Sequence, residues 1–137
     1  ENGEFNINSQ SGNINLTNLN NFNIANIKTS FGSTSLNDSS SNKFNIESST
    51  GNININDLNN SSVESITCKI STGNIDAKNI NASKLISLEA RFGNIYADIS
   101  DKEDNYSSSG NTYYAKSGSK LILIKTEHGD SRTNFTN

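Results

Sequence analysis

The sequence contains no proline, no tryptophan and no methionine, and it has one cysteine and one histidine among its 137 residues. A single cysteine excludes an intramolecular disulfide and leaves the redox compartment open. The absence of proline fits strands that hydrogen-bond on both sides, because proline cannot donate to such a ladder. Since the chain lacks both an initial methionine and a recognisable signal peptide, we expect it to be a mature or excised part of a longer precursor.

Long hydrophobic runs and clusters of positive charge are also missing. The longest aliphatic run, at 121–124, has the length of a strand, whereas a membrane-spanning helix needs roughly 20 apolar residues. The net charge is -3 and the 11 lysines and arginines are scattered, so the basic cluster that a nucleic-acid-binding surface requires is absent. We therefore expect no transmembrane segment and no nucleic-acid partner.

The chain is instead rich in neutral polar residues. Hydrophobic residues make up 31% and charged residues 18%, while asparagine and serine together form roughly a third of the sequence, far above ordinary usage. Such an asparagine-rich composition is typical either of a disordered, low-complexity chain or of a repeat fold that needs only a thin apolar core. The periodicity of the sequence decides between the two.

Six glycines mark an internal repeat, with successive spacings of 20, 19, 22, 20 and 36 residues. They are Gly12, Gly32, Gly51, Gly73, Gly93 and Gly129. When these glycines are aligned, the positions seven, five and three residues before them, and two and four residues after them, are apolar or small in every copy. The column five residues before the glycine contains Ile7, Ile27, Ile46, Cys68, Leu88 and Ile124. A disordered sequence would not keep five columns in register, so the repeat fold is favoured.

The alternation of these columns has the period of two that indicates β-strands. Each repeat predicts a strand, a tight glycine corner, a second strand and a looser return; asparagine often follows the glycine and can hydrogen-bond from rung to rung. We predict an all-β fold: a single-stranded parallel β-helix (β-solenoid) of about six rungs of roughly 20 residues, right-handed by the crossover rule. Residues 1–137 form one domain in this interpretation.

The last glycine spacing is longer than the others, 36 residues against about 20, and this predicts a loop insertion at about 101–120. The segment is polar, rich in glycine and serine, and contains Tyr106, Tyr113 and Tyr114. Long loops on rigid scaffolds often bind partners, and tyrosine is enriched in binding surfaces. We therefore select these three tyrosines as candidate partner-binding residues; the alternative is that they lie back over the coil.

The corner motif resembles that of a known family. Residues 49–53 and 71–75 both read Ser-Thr-Gly-Asn-Ile, and they are similar to the repeats of adhesin-like β-solenoid proteins of bacteria, which have eukaryotic relatives. The similarity covers nearly the whole chain and rests on a fold motif of strand, small-Gly-Asn corner and strand. It implies a parallel β-helix with an adhesive or scaffolding role, and it transfers no catalytic residues.

Candidate acidic sites are dispersed along the repeat. Four aspartates stand at different offsets from their corner glycines: Asp57, Asp76, Asp98 and Asp130. They are not expected to converge as the carboxylates of a β-helix carbohydrate enzyme do. The column six residues after the glycine contains Asn18, Asp38, Asp57 and Asn79. These side chains can offer oxygens to calcium, but a ladder of turn residues is the favoured interpretation.

Neither the single histidine nor the single cysteine has the neighbouring residues that a catalytic site needs. His128 lies beside Glu127 and Asp130, and no second histidine or nucleophile accompanies it. Cys68 falls in an inward column, which predicts a buried structural thiol rather than a reactive one. We therefore predict no catalytic residues, no bound cofactor and no metal site.

The first functional hypothesis is a non-enzymatic, adhesin-like module that serves as a scaffold for protein partners, through the coil ends or the 101–120 loop. In a large assembly, for example an organellar one, open coil ends are natural docking edges. The alternative is a carbohydrate-binding or carbohydrate-active β-helix protein, for which clustered carboxylates or a row of exposed aromatic residues is the discriminator. The only aromatic candidates for such a row are Tyr96, Tyr113 and Tyr114.

The compartment stays open between the cell surface or exterior and an organelle such as the mitochondrion. Seven Asn-x-Ser/Thr sequons do not decide the question, because a similar number is expected by chance in this composition.

Overall fold

A computed structural model describes residues 3–58, 60–100, 107–117 and 120–136, and the regular elements in these ranges are all β-strands. They are β1 (Gly3–Ser11), β2 (Ile14–Thr17), β3 (Asn20–Phe31), β4 (Thr34–Asn37), β5 (Ser40–Thr50), β6 (Ile53–Leu58), β7 (Ser65–Thr72), β8 (Ile75–Ile80), β9 (Leu85–Phe92), β10 (Ile95–Ser100), β11 (Ser107–Gly110), β12 (Thr112–Ser117), β13 (Lys120–His128) and β14 (Ser131–Thr136).

These strands form two seven-stranded sheets, and the chain alternates between them. The first sheet has the order β1-β3-β5-β7-β9-β13-β12, and the second has the order β11-β14-β10-β8-β6-β4-β2. All neighbours pair in parallel except for the pairs that involve β11 and β12. Six parallel strands in each sheet, linked by about five turns of the chain, make a β-solenoid, and the predicted fold class is confirmed.

The core lies between the two sheets and consists of the five predicted columns. From the second rung to the sixth, every residue in these columns is buried. Each column adds one side chain per rung to a continuous stack; Phe44, Ile66 and Ile86, for example, follow one another with no exposed surface. A thin core of this kind needs few apolar residues per rung, which explains how a chain with only 31% hydrophobic residues folds.

The corner at Gly51 explains why glycine marks the repeat. Its φ of 141° lies in a region that L side chains rarely adopt, and a Cβ there would lie 2.6 Å from the carbonyl carbon of Gly32 in the preceding rung. The Gly51 amide donates to the Thr72 carbonyl of the following rung at 3.0 Å, so the corners stack within hydrogen-bonding distance. Gly129 lies outside the left-handed region, yet a Cβ on it would lie 2.7 Å from the carbonyl carbon of Gly93. At this last corner the close approach alone requires glycine.

The second corner is made by residues in the left-handed conformation. Positive φ angles occur at Asn18 (60°), Asp38 (49°), Asp57 (60°) and Asn79 (56°), the column six residues after the glycine. Asparagine and aspartate tolerate this conformation better than other side chains, so the column is a ladder of turn residues. In the last two rungs the same position holds Ile99 and Phe135, which are buried, and β10 and β14 continue through it.

Part of the segment predicted to be a loop insertion at 101–120 forms strands instead. Residues 107–117 contain β11 and β12, whereas 101–106 and 118–119 lie outside the described residues. Each strand pairs antiparallel with the sixth rung, β11 with β14 and β12 with β13. These pairings satisfy backbone groups that the last rung would otherwise leave open. The described part of the insertion is therefore a layer over the C-terminal end of the coil rather than a loop that stands away from it.

Candidate partner-binding surfaces

The three tyrosines selected from the sequence differ in how much of each side chain the structure exposes to solvent. Tyr106 lies outside the described residues. Tyr113 is only 9% exposed, and its ring centroid lies 5.8 Å from that of Phe135 in the core. Tyr114, its neighbour in β12, is 61% exposed. Because successive strand residues point to opposite faces, one tyrosine closes the core and the other faces solvent. Tyr113 therefore offers little surface to a partner in this structure, whereas Tyr114 is accessible, and partner binding stays a prediction for both.

The four aspartates lie on the outside of the coil, and two of them make hydrogen bonds to the neighbouring rung. Asp57 Oδ1 accepts a hydrogen bond from Asn79 Nδ2 at 2.7 Å, and Asp98 Oδ1 accepts one from Asn134 Nδ2 at 3.2 Å. Each bond joins neighbouring rungs. In residues 3–58, 60–100, 107–117 and 120–136, no three histidine, cysteine, aspartate or glutamate side chains are grouped closely enough to hold a metal ion.

Cys68 is completely buried, and desolvation raises the pKa of its thiol far above the ordinary value. A neutral, inaccessible thiol cannot act as a nucleophile. His128 is exposed and stacks on Phe92, with ring centroids 4.8 Å apart and an interplanar angle of 8°. The Arg91 guanidinium carbon lies 5.4 Å from the Phe92 centroid on the same corner, and Arg91 Nε lies 3.8 Å from Glu127 Oε1. His128 thus belongs to an exposed aromatic and charged cluster.

Two exposed phenylalanines were missed by the sequence analysis, which named only tyrosines as exposed aromatic candidates. Phe31 is 60% exposed and Phe92 is 46% exposed, and both stand directly before a corner glycine. The sequence contained a signal for this exposure. The column directly before the glycine contains polar residues, such as Thr50 and Thr72, in other rungs, which indicates that the column faces solvent rather than the core. These two polar residues separate the phenylalanines, so the rings do not form a continuous row.

The outer face of the first sheet carries a column of alternating charge, four residues before each glycine. From the second rung to the sixth it reads Lys28, Glu47, Lys69, Glu89 and Lys125. Lys28 Nζ lies 3.4 Å from Glu47 Oε1, and both side chains are more than half exposed. A shallow groove of about 340 Å³ runs beside this column over small residues that include Ser30, Ser49 and Ser71. The groove is lined mainly by polar and charged side chains of both signs, which suits solvation as well as weak recognition.

Asparagine side chains form hydrogen-bonded ladders along the outside of the coil. At the glycine corner the side-chain oxygen of one rung accepts the backbone amide of the next, as from Asn74 N to Asn52 Oδ1 at 2.9 Å and from Asn94 N to Asn74 Oδ1 at 2.8 Å. On the first sheet, Asn26 Nδ2 donates to Asn6 Oδ1 at 2.8 Å. These bonds continue the backbone ladder into the side chains, so the module is expected to present its surfaces with little internal motion.

The N-terminal end of the coil is unlike the C-terminal end. In the described structure β1 and β2 each have a neighbouring strand on one side only. Phe5, Ile7, Leu16 and Leu19 pack against the core but are only partly buried. Glu4 is the only charged residue in the two strands. A long strand edge with apolar side chains behind it and almost no charge has the properties of a β-pairing surface.

The family model described as Toastrack DUF4097 matches residues 1–132. The chain belongs to the Toastrack DUF4097 family. No curated protein and no solved structure matches it.

Membership in the Toastrack family agrees with the fold that the sequence resemblance implied. It does not extend to the adhesin label, and the family name specifies neither a reaction nor a ligand. A Toastrack β-solenoid fits a non-enzymatic structural module. In the part of the chain that the structure describes, no helix is long and apolar enough to cross a membrane.

Proposed function

We propose that this Toastrack domain is a non-enzymatic, adhesin-like scaffold that binds protein partners through its N-terminal coil end. The observation that carries the proposal is the contrast between the two ends. At the C-terminal end β11 and β12 cover the last rung, and Tyr113 lies over the core. At the N-terminal end, within the described residues, β1 has a neighbouring strand on one side only, and the side chains behind its other edge are partly exposed.

A protein strand is the partner chemistry that suits this end. The nine-residue edge of β1 offers backbone donors and acceptors at the regular spacing of a β-ladder, and such groups are best satisfied by another strand. Partly buried Phe5 and Ile7 would gain further burial under the added strand, at roughly 25 cal/mol per Å² of apolar surface. A binding site of this kind needs no catalytic residues, which agrees with the dispersed placement of the acidic side chains.

The assembly hypothesis follows from the same end. A partner that continues the ladder would incorporate the solenoid into a larger particle, whether at a cell surface or in an organelle. Partner binding by Tyr114 at the opposite end stays compatible with this, because β12 and β1 lie at the two edges of the first sheet.

The test is site-specific crosslinking in extracts of the source cells. A photo-crosslinking residue at Asn6, on the β1 edge, is compared with one at Asn45, which is also exposed but lies on the third rung. A partner adduct is expected at Asn6 and not at Asn45. The adduct should disappear when Ile7→Lys places a charge on the inward side of the edge, and it should persist with the outward control Asn8→Lys. Equal adducts at both positions, or no effect of Ile7→Lys, would refute docking through this end.

A further inference from the structure

We propose that the core binds one buried water molecule beneath the glycine corners of the second and third rungs. Its ligands are the hydroxyl groups of Thr29, Thr34 and Ser48, called here the corner hydroxyls. These side chains are 1%, 0% and 5% exposed. None of the three oxygens makes a hydrogen bond to another group of the described residues. The site lies inside the coil and is independent of the surfaces considered for partner binding.

The fold places the corner hydroxyls next to one another. Thr29 and Thr34 are the first inward residues on the two sides of Gly32, so they face each other across the corner of the second rung. Ser48 is the partner of Thr29 in the third rung. Because neighbouring strands lie about 4.8 Å apart, stacked hydroxyls are too distant to bond directly. Both can reach a water molecule between them at about 2.8 Å.

Hydroxyls of the same column find backbone acceptors at the two ends of the coil. In the first rung Ser9 Oγ donates to the carbonyl of Ser11 at 3.0 Å. In the sixth rung Thr126 Oγ1 donates to the carbonyl of Gly129 at 2.8 Å. A corner carbonyl is therefore the usual acceptor for this column where one is accessible.

In the second and third rungs these backbone acceptors are engaged or covered. The carbonyl of Phe31 accepts the Gly12 amide at 2.9 Å, and that of Thr50 accepts the Gly32 amide at 3.0 Å. The carbonyl of Gly32 itself lies against Gly51, where it would collide with a Cβ. The corner hydroxyls thus need a ligand that the backbone does not supply, since a buried hydroxyl without a hydrogen bond is costly.

The residue types at the corner leave space for such a ligand. In the fourth rung the column of Thr29 and Ser48 contains Ile70, whose Cδ1 would lie 2.9 Å from a Cβ on Gly73, so the end of this side chain fills the space beneath the corner. Threonine and serine have no Cδ atom. Thr34 likewise stands in a column that contains isoleucine in the next three rungs. The shorter side chains meet at one place, and a water molecule occupies only about 30 Å³ in the liquid.

The chemistry of the site selects water over an ion. The buried polar side chains of the described chain all carry hydroxyl groups, and none of them is charged. A cation would therefore lose its hydration without gaining an opposite charge. Hydroxyl groups both donate and accept, as water does. A buried water molecule usually makes about three hydrogen bonds, which is the number that the corner hydroxyls offer.

The direct test is a crystal structure of the chain at a resolution that shows ordered water. One peak is expected within hydrogen-bonding distance of at least two corner hydroxyls. Thr34→Ile gives the second rung the residue of the next three rungs and should remove the peak. A structure in which the corner hydroxyls donate to backbone carbonyls, with no shared peak between them, would overturn the proposal.

Urea unfolding of valine variants tests the site in solution. If Thr29 is bonded to the water molecule, Thr29→Val removes that bond at nearly constant shape and should raise the unfolding equilibrium constant about fivefold. If the hydroxyl is unpaired, a methyl group in its place should lower the constant instead. Thr126→Val is the control for the loss of a paired hydroxyl, since Thr126 Oγ1 bonds to the carbonyls of Gly129 and Asn111. A lower constant for Thr29→Val would contradict the proposal.

A double variant distinguishes one shared water molecule from two independent hydrogen bonds. Thr29→Val and Thr34→Val act on the same ligand, so their combined effect on the unfolding constant should differ from the product of the single effects by more than twofold. Thr29→Val combined with Thr126→Val should give the product, because these residues lie four rungs apart. A simple product for both pairs would overturn the shared site.

Discussion

Alanine substitutions at three corner glycines separate the two physical reasons for glycine at this position. Gly12 has a φ of 115° but no heavy atom nearer than 3.9 Å to the position of a Cβ, so Gly12→Ala introduces backbone strain alone. Gly129 lies outside the left-handed region, so Gly129→Ala introduces only the collision with Gly93. Gly51→Ala combines both, with a φ of 141° and a Cβ that would lie 2.6 Å from the carbonyl carbon of Gly32.

The expected losses follow from the structure. A residue held in a disfavoured backbone region costs about 1–3 kcal/mol. To relieve the collision at Gly51, its rung must move away from the preceding one, which strains the bonds from Gly32 N to Thr50 O (3.0 Å) and from Thr34 N to Asn52 O (2.9 Å). At a net value of about 1 kcal/mol per hydrogen bond, the collision costs about 2 kcal/mol. The sum for Gly51→Ala is therefore about 3–5 kcal/mol.

Urea unfolding followed by far-ultraviolet circular dichroism measures these differences. We expect a loss of unfolding free energy of about 1–3 kcal/mol for Gly12→Ala, about 2 kcal/mol for Gly129→Ala, and about the sum of the two for Gly51→Ala. If Gly51→Ala were no more destabilising than Gly12→Ala, the collision between rungs would contribute nothing. The explanation of the glycine period by close approach would then be wrong.

Four further predictions concern three side chains. Asn74→Ala removes the acceptor for the amide of the next rung and should cost about 1 kcal/mol in urea unfolding, whereas Asn54→Ala, on the outer face, should be neutral. The Cys68 thiol should react with Ellman's reagent only after unfolding, because the residue is buried and burial raises its pKa. Since only the unfolded thiol ionises, the stability advantage of the wild type over Cys68→Ala should be complete below pH 9.0 and shrink by up to about 1.4 kcal/mol per pH unit above it. Tyr113→Ala should cost about 3–5 kcal/mol, whereas Tyr114→Ala should change the unfolding free energy by less than about 0.5 kcal/mol.

Each of these predictions has an outcome that contradicts it. Equal losses for Asn74→Ala and Asn54→Ala would mean that the side-chain ladder does not stabilise the corner. Rapid thiol labelling of the folded chain would contradict the burial of Cys68. A stability difference that does not change between pH 8 and pH 10 would contradict the raised pKa. A neutral Tyr113→Ala would show that β12 does not close the core.

Much of the fold could be predicted because a solenoid repeats the same arrangement of strands and corners in every rung. The inward columns alternate with period two, and every copy must supply an apolar or small residue, so six aligned copies give a strong signal. The turn column containing Asp38 and Asp57 was recognisable for the same reason, since few side chains accept a positive φ. The dispersed placement of Asp57, Asp76, Asp98 and Asp130 could also be anticipated, because they stand at different offsets from their corner glycines.

The end layer and the candidate surfaces could not be predicted in the same way. Tyr113 and Tyr114 are adjacent and chemically identical, and only their alternation in β12 decides that one is buried and the other exposed. The exposure of Phe31, by contrast, could have been predicted, because polar residues occupy the same column in other rungs.

By itself, then, the sequence determined the repeat, the glycine corners and the inward columns, because these depend on backbone geometry and burial within each rung. Only the tertiary structure decided that residues 107–117, between the fifth and sixth rungs, fold back over one end of the coil. The physical reason is that the satisfaction of edge backbone groups depends on which strands become neighbours in space, and that non-repeating segment contains no period from which its neighbours could be inferred.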